Sequence, residues 1–522
     1  MPGFSTVMAR ITPGPALAVL AVAFALGLSR LQFGIGHTTF DYMSQARWLL
    51  DGGDLGGLTT TQPPGYTLIW LLLLVLPRPL LGGFILSLLS QAITVWCVYE
   101  LIAKPATRTA GLVGAALVAV NGALTGSADY VWVEGPFTAA LTGAWLAFER
   151  LIFRAREQRY AGPVLGTALL AVLPLYLRYA AAPVLAVMLA FALFTAIKRK
   201  RRDLALFVAL VVLLALPLPL FNWAIHGMVT GHPLGIAPAQ DLLSSFIILA
   251  RELGSAFLYV TPPIHEAPLF NLTNADGTAM RLPILAALLG TTAMLVPLAI
   301  GILTGRGPLM RVGLAVLAYL LFYALIASHT RIDRLSLRFV VPVIPLAIAG
   351  WVMAAPVLGR RGSLALAGAV AGFGVVGLTE GLAPDRYGYA PETLAYVARN
   401  FPQGSVLLTN AYGRQIDALA PGFRALPLPY DDPFNDGFSD AYGIEPLSES
   451  ELDATVAREH VRAVVILLGP SGDDPYLDLD SYGEAVKRLV DGARPGAQVT
   501  RLSDGLVVTL EPPAAQPLAQ RR

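Results

Sequence analysis

Long apolar runs, separated by short polar segments, fill the chain as far as residue 383. They recur at 13–29, 80–102, 110–126, 136–153, 162–177, 182–197, 204–221, 283–304, 311–328, 339–357 and 363–380. Several approach the roughly 20 residues a helix needs to cross a bilayer. The pattern predicts about eleven transmembrane helices. After residue 383 it changes character. Pro391 to Phe401 predicts a helix with proline in its first turn. Ser405 to Thr409 reads as a buried strand. Ser448 to His460 opens on Ser-Glu-Ser-Glu, a helix start with acids at the positive end of the dipole. Val461 to Leu468 is a valine-rich strand. Gln498 to Glu511 alternates and turns at Ser503-Asp504-Gly505, a hairpin signal. The expectation is therefore a polytopic α-helical membrane domain over 1–383 with a soluble α/β domain over 384–511. A disordered tail over 512–522 follows.

Composition supports the division. The chain is 55% hydrophobic and 14% charged, with a mean hydropathy of +0.62. A soluble protein carries about 25% charged residues, so a wholly soluble protein is excluded. Residues 1–383 hold 25 basic and 15 acidic residues, net +10, and residues 384–522 hold 12 and 20, net −8. Alternate short loops carry Lys104 and Arg108, then Arg150, Arg154, Arg156 and Arg159, then Lys198 to Arg202, then Arg306 and Arg311, then Arg360 and Arg361. All fall on one side if the N-terminus, with Arg10, is cytoplasmic, which is the positive-inside pattern. The exoplasmic face then holds a first loop of about 30–79, the segments 127–135, 178–181, 222–282 and 329–338, and everything after 381. Arg10 before an apolar run also admits a signal-peptide reading of the first span, whose cleavage would leave the orientation unchanged. The single cysteine, Cys97, lies in an apolar run, so no disulfide framework or cysteine metal site arises. The acidic stretch Asp431 to Asp440 reads as a solvated loop.

Ionisable groups near hydrocarbon are costly and tend to mark function. Here they gather at the outer ends of the predicted helices. The long first loop carries Asp41, Arg47, Asp51 and Asp54, and loops of that length are more often functional than idle. Asp129 and Glu134 flank Tyr130 to Val133. Arg178-Tyr179 sits between two spans, Asn222 and His226 follow another, and His329, Arg331, Asp333, Arg334 and Arg338 crowd a third. A charge at a helix end also serves as an interfacial anchor, and Glu134 could simply complement a helix dipole. Arg178 and Arg338 have apolar residues on both sides and need no anchor. The histidines lack metal-ligand spacing.

In these motifs the chain resembles the GT-C superfamily of glycosyltransferases. The nearest branch is the bacterial one of Rgt-type galacturonosyltransferases, the lipid A aminoarabinose transferase and protein O-mannosyltransferases. The residues that carry the resemblance are Asp41-Tyr42 … Ala46-Arg47-Trp48-Leu49-Leu50 … Gly52, Pro63-Pro64-Gly65-Tyr66-Thr67-Leu68, Leu177-Arg178-Tyr179, and Leu337-Arg338-Phe339 … Pro342 … Pro345. Glu134-Gly135-Pro136-Phe137 is a weaker match. Many family members carry an acid three or four residues before the loop tyrosine. Thr38 and Thr39 stand there in this chain, which leaves open which carboxylate is catalytic and whether a divalent metal is held.

The resemblance implies a multi-pass plasma-membrane enzyme that takes a polyprenyl-phosphate sugar and passes the sugar to a lipid, glycan or protein hydroxyl on the exoplasmic face. It implies no nucleic-acid partner and no certain cofactor. A lipid phosphate is already a stable leaving group, so one carboxylate to take the acceptor's proton suffices, with cations for the phosphate. Asp41 is the expected base, with Glu134 and then Asp333 as competitors. Arg178 and Arg338 are the expected phosphate ligands, because a guanidinium fork fits phosphate oxygens two at a time. Asp129, Tyr66 and Tyr179 are supporting candidates. A single displacement would invert the anomeric centre. The alternatives are a transporter or flippase of lipid-linked sugars, which would place binding groups in mid-membrane, and a catalytically inactive assembly protein of the same fold. The sugar, the acceptor, the oligomeric state and the role of the C-terminal domain stay open.

Overall fold

The computed structural model describes residues 17–22, 34–35, 37–55, 58, 62–153, 161–227, 229, 241–258, 295–305, 307–329, 337–355, 390–409, 414–420, 422–427, 449–467, 488–489 and 496–510. The chain divides into two compact units. One comprises Met1–Phe33 and Leu58–Pro384, the other Gly34–Gly57 and Asp385–Arg522. The long first loop is thereby split, and its Asp41 segment groups with the C-terminal part of the chain.

The first unit is helical. Its described helices are α2 (Gly65–Leu73), α3 (Pro79–Ala103), α4 (Arg108–Val120), α5 (Gly122–Asp129), α6 (Glu134–Ile152), α7 (Ala161–Leu177), α8 (Ala182–Arg199), α9 (Arg202–Ala215), α10 (Pro217–His226), α11 (Leu242–Leu258), α12 (Leu295–Thr304), α13 (Gly307–His329) and α14 (Ile344–Ala354). Four stretches are long and apolar enough to cross a bilayer: Pro79–Ala103, Tyr179–Arg199, Arg202–Ile225 and Gly307–His329. A fifth is the pair Arg108–Val120 and Gly122–Ala128, bent by 60°. The bend falls at Asn121, whose side chain accepts the Leu124 N–H at 3.2 Å and so caps α5 where α4 stops. The predicted first span is described only over 17–22, the predicted eighth only from 295, and the predicted span 363–380 lies outside the described residues. The protein is thus a polytopic α-helical membrane protein. Exposed Val212, Leu213, Leu216, Leu220 and Trp223 along α9 and α10 form the kind of apolar surface that lipid covers.

The bundle is built around α6, which packs against α3, α7 and the 3-10 turn Val341–Val343 that leads into α14. Both of its carboxylates, Glu134 and Glu149, form buried ion pairs with arginines from elsewhere in the chain, and Arg150 meets Glu100 of α3 at 2.8 Å nearer the surface. At its C-terminal end, Glu149 receives Arg311 of α13 through both guanidinium edges, Nε to Oε1 at 2.9 Å and Nη2 to Oε2 at 2.6 Å. The Arg311 guanidinium also sits 5.1 Å from the Phe153 ring. Next to this pair, buried Arg201 donates to the carbonyls of Leu151 and Ile152 at 2.9 and 2.6 Å, a cation on the negative end of the α6 dipole. Arg201 and Arg311 thus bind within the protein, which the loop-charge reading did not anticipate.

The second unit contains α1 (His37–Leu50), α15 (Pro391–Asn400), α16 (Arg414–Leu419), α17 (Glu449–Glu459), the short strand Gly34–Ile35 and, after residue 385, the strands β1 (Val406–Thr409), β2 (Arg424–Pro427), β3 (Val461–Leu467), β4 (Gln498–Leu502) and β5 (Gly505–Thr509). Strands β1 to β5 form one mixed sheet in the order β2-β1-β3-β5-β4. Strands β2, β1 and β3 run parallel, and β5 and β4 close the sheet as an antiparallel hairpin. Side chains alternate between its faces, as strand geometry requires. Leu407, Ala463, Val465 and Val507 meet Ala390, Leu394 and Val397 of the α15 segment and Ile416 of α16 on one face. Leu408, Val464, Ile466 and Val508 meet Leu452 and Val456 of α17 on the other. The tail 512–522 and the stretch Asp431 to Asp440 lie outside the described residues.

Candidate active site

The site in the first unit lies at the N-terminal end of α6, the end opposite the Glu149–Arg311 pair. At 1.5 Å per residue, Glu134 and Glu149 stand roughly 22 Å apart along the helix. The Pro63-Pro64-Gly65-Tyr66 motif sets the local frame. Pro64 precedes α2 and Gly65 opens it. A Cβ on Gly65 would overlap the Tyr176 carbonyl of α7, with the carbonyl carbon only 2.8 Å away. Glycine therefore lets α2 approach the end of α7, two residues before Arg178. Tyr66 and Trp70, one turn apart on α2, are both buried and meet edge-on at 6.2 Å.

Pro174 lies inside α7, and the Arg178 N–H donates to its carbonyl at 2.9 Å. Arg178 itself is extended, with φ −152° and ψ 136°, and breaks the chain between α7 and α8. The break turns its side chain to Glu134 in the first turn of α6, and the two form an ion pair. Glu134 is 1% exposed and the Arg178 side chain 22%, so the carboxylate is sealed while the arginine side chain is only partly covered. Glu134 Oε2 is buried and accepts no hydrogen bond among the described residues. The next residue is fixed as well. The Tyr179 hydroxyl donates to Asn222 Oδ1 at 3.1 Å, and the Asn222 amide donates to the Val229 carbonyl at 3.1 Å.

Two tyrosines of α13, one turn apart, complete the cluster. Tyr319 and Tyr323 pack edge to face at 5.2 Å, and the turn Tyr179–Ala181 packs on their helix. Both lie within electrostatic reach of Arg178 and Glu134, and Tyr323 also within reach of Arg338. The Tyr323 ring meets Phe339 at 5.0 Å, and the Arg338 guanidinium sits 4.9 Å from that same ring. Pro342 and Pro345 stand in the first turns of Val341–Val343 and of α14, and they fix the path of the chain that follows Arg338. Four segments distant in sequence thus gather Glu134, Arg178, Arg338 and Tyr323. The tyrosines were missed as candidates, although two hydroxyls four residues apart in an otherwise apolar span were a usable signal.

Of the other sequence candidates, Asp41 lies half-buried on α1 of the second unit. Helix α1 ends in a glycine-based stop. Gly52 has φ +86°, its N–H reaches the Leu49 carbonyl at 3.2 Å, and the Gly53 N–H reaches that of Trp48 at 2.8 Å. Asp129 is the last residue of α5. Asp333, with Arg331 and Arg334, lies outside the described residues. No group of three His, Cys, Asp or Glu side chains close enough to hold a metal ion occurs among the described residues. Among the described residues, the charged group paired with Glu134 is a guanidinium.

No family model and no curated protein matches the chain. Solved structures do. ArnT from Cupriavidus metallidurans in the apo state is 12% identical, with a TM-score of 0.58 over 95% of this chain and 98% of that one. The same protein bound to undecaprenyl phosphate gives a TM-score of 0.57 at 12% identity, over 96% and 98% of the two chains. The archaeal oligosaccharyltransferase AglB from Archaeoglobus fulgidus, in complex with an inhibitory peptide and a dolichol-phosphate, is 14% identical, with a TM-score of 0.55 over 97% of this chain and 75% of that one. The chain therefore shares their fold, the GT-C fold expected from the motifs.

Proposed function

We propose that the protein is a membrane glycosyltransferase that moves a sugar from a polyprenyl-phosphate donor to an acceptor hydroxyl on the exoplasmic face, with inversion. The observation that carries this reading is the Glu134–Arg178–Arg338 cluster around Tyr323, two guanidiniums on a scaffold shared with a protein crystallised with undecaprenyl phosphate. Two cations suit a departing lipid phosphate, because preorganised charge aimed at a leaving group lowers the barrier without reorganisation. Arg178 and Arg338 hold the phosphate oxygens. Asp41 takes the proton of the acceptor hydroxyl as that oxygen bonds to the anomeric carbon. The bond from that carbon to the phosphate oxygen breaks, and the polyprenyl phosphate leaves with the electron pair. Glu134 has a different task in this scheme. Sealed from solvent and paired to a cation, it fixes the Arg178 fork and does not meet the acceptor.

The same reading carries the topology. We place eleven spans, a cytoplasmic N-terminus and an exoplasmic 384–511 domain, on the strength of the loop charges. A reporter active only in the cytoplasm, fused after Arg522, should be silent, and a bright signal would reverse the orientation. Purified protein should discharge at least one member of a panel of undecaprenyl-phosphate-linked hexoses, pentoses and uronic acids. Arg338→Lys should weaken undecaprenyl phosphate binding, because a lysine cannot engage two phosphate oxygens at once. Binding of that lipid without discharge of any donor would favour the inactive assembly protein.

A further inference from the structure

We infer that the C-terminal domain is a positioning element for the helix that bears Asp41, acting through the α16 face formed by Gln415 and Ala418. The inference rests on the functional reading above, in which Asp41 is the base. Helix α1 has 14 residues and opens His-Thr-Thr. Isolated helices of that length are marginal in water, and β-branched threonines lower the propensity further. The Ser44 hydroxyl turns back to the Phe40 carbonyl at 2.7 Å, a local bond that adds no tertiary anchor. The Gly52 stop defines where α1 ends but not where it points. Packing contributes to that direction.

That packing comes from α16 within the same compact unit, since α1 lies directly against Arg414–Leu419. Helix α16 is committed on one side to the sheet. Ile416 and Ala420 enter the sheet core, with Leu419 beside them. Gln415 and Ala418, three residues apart, lie on a neighbouring side at 1% exposure each, and Ala418 is absent from both sheet clusters. That side is left for α1. Gln415 is itself fixed, because its Oε1 accepts the Ala390 N–H at 3.2 Å just before α15. Helix α1 buries Thr39, Phe40, Tyr42, Met43 and Ala46. Asp41 stands off that stripe, half-buried with Ser44 and Gln45. A rigid sheet thus holds α16, α16 holds α1, and α1 sets the direction of the Asp41 carboxylate. A small residue at 418 permits the close approach.

The test compares full-length wild type, Ala418→Trp, Ala418→Leu and Ala418→Ser in detergent. Amide hydrogen exchange is followed separately over His37–Leu50 and over β1–β5, and donor KM and kcat are measured. A 1 Å misplacement of a catalytic group can cost about 10²-fold. Ala418→Trp should lower kcat roughly 10²-fold, leave donor KM within about twofold, and loosen exchange over His37–Leu50 while β1–β5 stay protected. Ala418→Ser should behave as wild type. Should the tryptophan loosen the sheet as well, Ala418→Leu becomes the deciding variant. Unchanged exchange over His37–Leu50, or loosened exchange with unchanged kcat, overturns the inference. If wild type discharges no donor, the functional reading fails on its own, and the exchange data still decide whether α16 orders α1.

Discussion

Glu134→Gln in combination with Arg178→Ala separates the two roles a buried carboxylate could have here. The amide keeps the shape of the glutamate and removes its charge. Two unit charges about 4 Å apart interact by about 4 kcal/mol at an effective dielectric of about 20. The Arg178 side chain is 22% exposed, so water recovers part of that loss, and the glutamine oxygen still accepts a hydrogen bond. The net cost is set at about 1–3 kcal/mol, which is roughly 5- to 150-fold in kcat/KM. Magnitude alone does not separate this from loss of a general base, which costs about 10²–10⁴-fold. A double-mutant cycle does. If Glu134 acts only by holding the guanidinium, Glu134→Gln should cost almost nothing once Arg178→Ala has removed it. Transfer from an undecaprenyl-phosphate-linked sugar is the assay, with undecaprenyl phosphate binding as a second readout. Full additivity of the two penalties in kcat would refute the positioning role and restore Glu134 as a base.

Three further outcomes follow from the same geometry. Asp41→Asn should lower turnover by about 10²–10⁴-fold and leave undecaprenyl phosphate affinity unchanged, as kinetics and binding on one preparation will show. Gly65→Ala drives a Cβ into the Tyr176 carbonyl; it should cost about 1–3 kcal/mol in thermal stability and weaken lipid-phosphate binding, and an unchanged melting temperature would remove the argument for glycine there. In the C-terminal domain, Asp504 accepts the Glu392 and Thr393 N–H groups at 2.8 and 2.9 Å and so caps α15 from the β4–β5 turn. Asp504→Ala should cost about 1–2 kcal/mol in chemical unfolding of that domain. Glu392 answers with hydrogen bonds from the Ser503 hydroxyl and N–H, which hold its carboxyl below the ordinary value of 4.5. A lowered folded value means that this contribution is complete above the unfolded value and is lost as pH falls through the folded one. Glu392→Gln should therefore lower stability near neutrality, where the ionised carboxylate contributes, and flatten the profile on the acid side of 4.5, so that the two proteins converge as pH falls.

What the sequence disclosed and what it withheld divide along physical lines. Hydrophobic periodicity is local, so the strands at Val406–Thr409 and Val461–Leu467 and the Ser503-Asp504 turn could be read directly. The order of motifs along the chain led to the GT-C fold, and the ArnT structures share that fold with this chain at only 12% identity. Partnership is not local. Nothing near Glu134 announces Arg178, since the pair depends on the break that Pro174 and the extended Arg178 make between α7 and α8. Arg201 and Arg311 read as members of a cytoplasmic charge pattern, yet one caps a helix and the other fills a buried pair. A charge count assigns a side to a loop but does not distinguish a solvated guanidinium from a bonded one. The grouping of Gly34–Gly57 with the C-terminal part was hidden for the same reason, because α1 carries no mark of the α16 surface that receives it.

Helix α6 contributes a carboxylate to each of two buried ion pairs, and the comparison between them tests how function is assigned at all. Glu149 and Arg311 saturate each other through two bonds, and their side chains are 6% and 9% exposed. Glu134 engages Arg178 but keeps one oxygen without a hydrogen bond among the described residues, and the arginine side chain is 22% exposed. A saturated buried pair is often replaceable by apolar residues of similar volume at little cost, whereas removing one partner strands a charge and costs about 3–5 kcal/mol. Glu149→Gln alone should therefore lower the melting temperature sharply. Glu149→Leu combined with Arg311→Met should recover most of the loss and retain transfer activity, because that pair joins α6 to α13 at the end of α6 opposite the Glu134 cluster. Glu134→Leu combined with Arg178→Met should recover stability in the same way and still be inactive if, as proposed, the Arg178 guanidinium holds the lipid phosphate. Transfer activity in the Glu134→Leu, Arg178→Met double variant would show that the cluster is scaffold. A stable but inactive Glu149→Leu, Arg311→Met double variant would show that the chemistry reaches the opposite end of the helix.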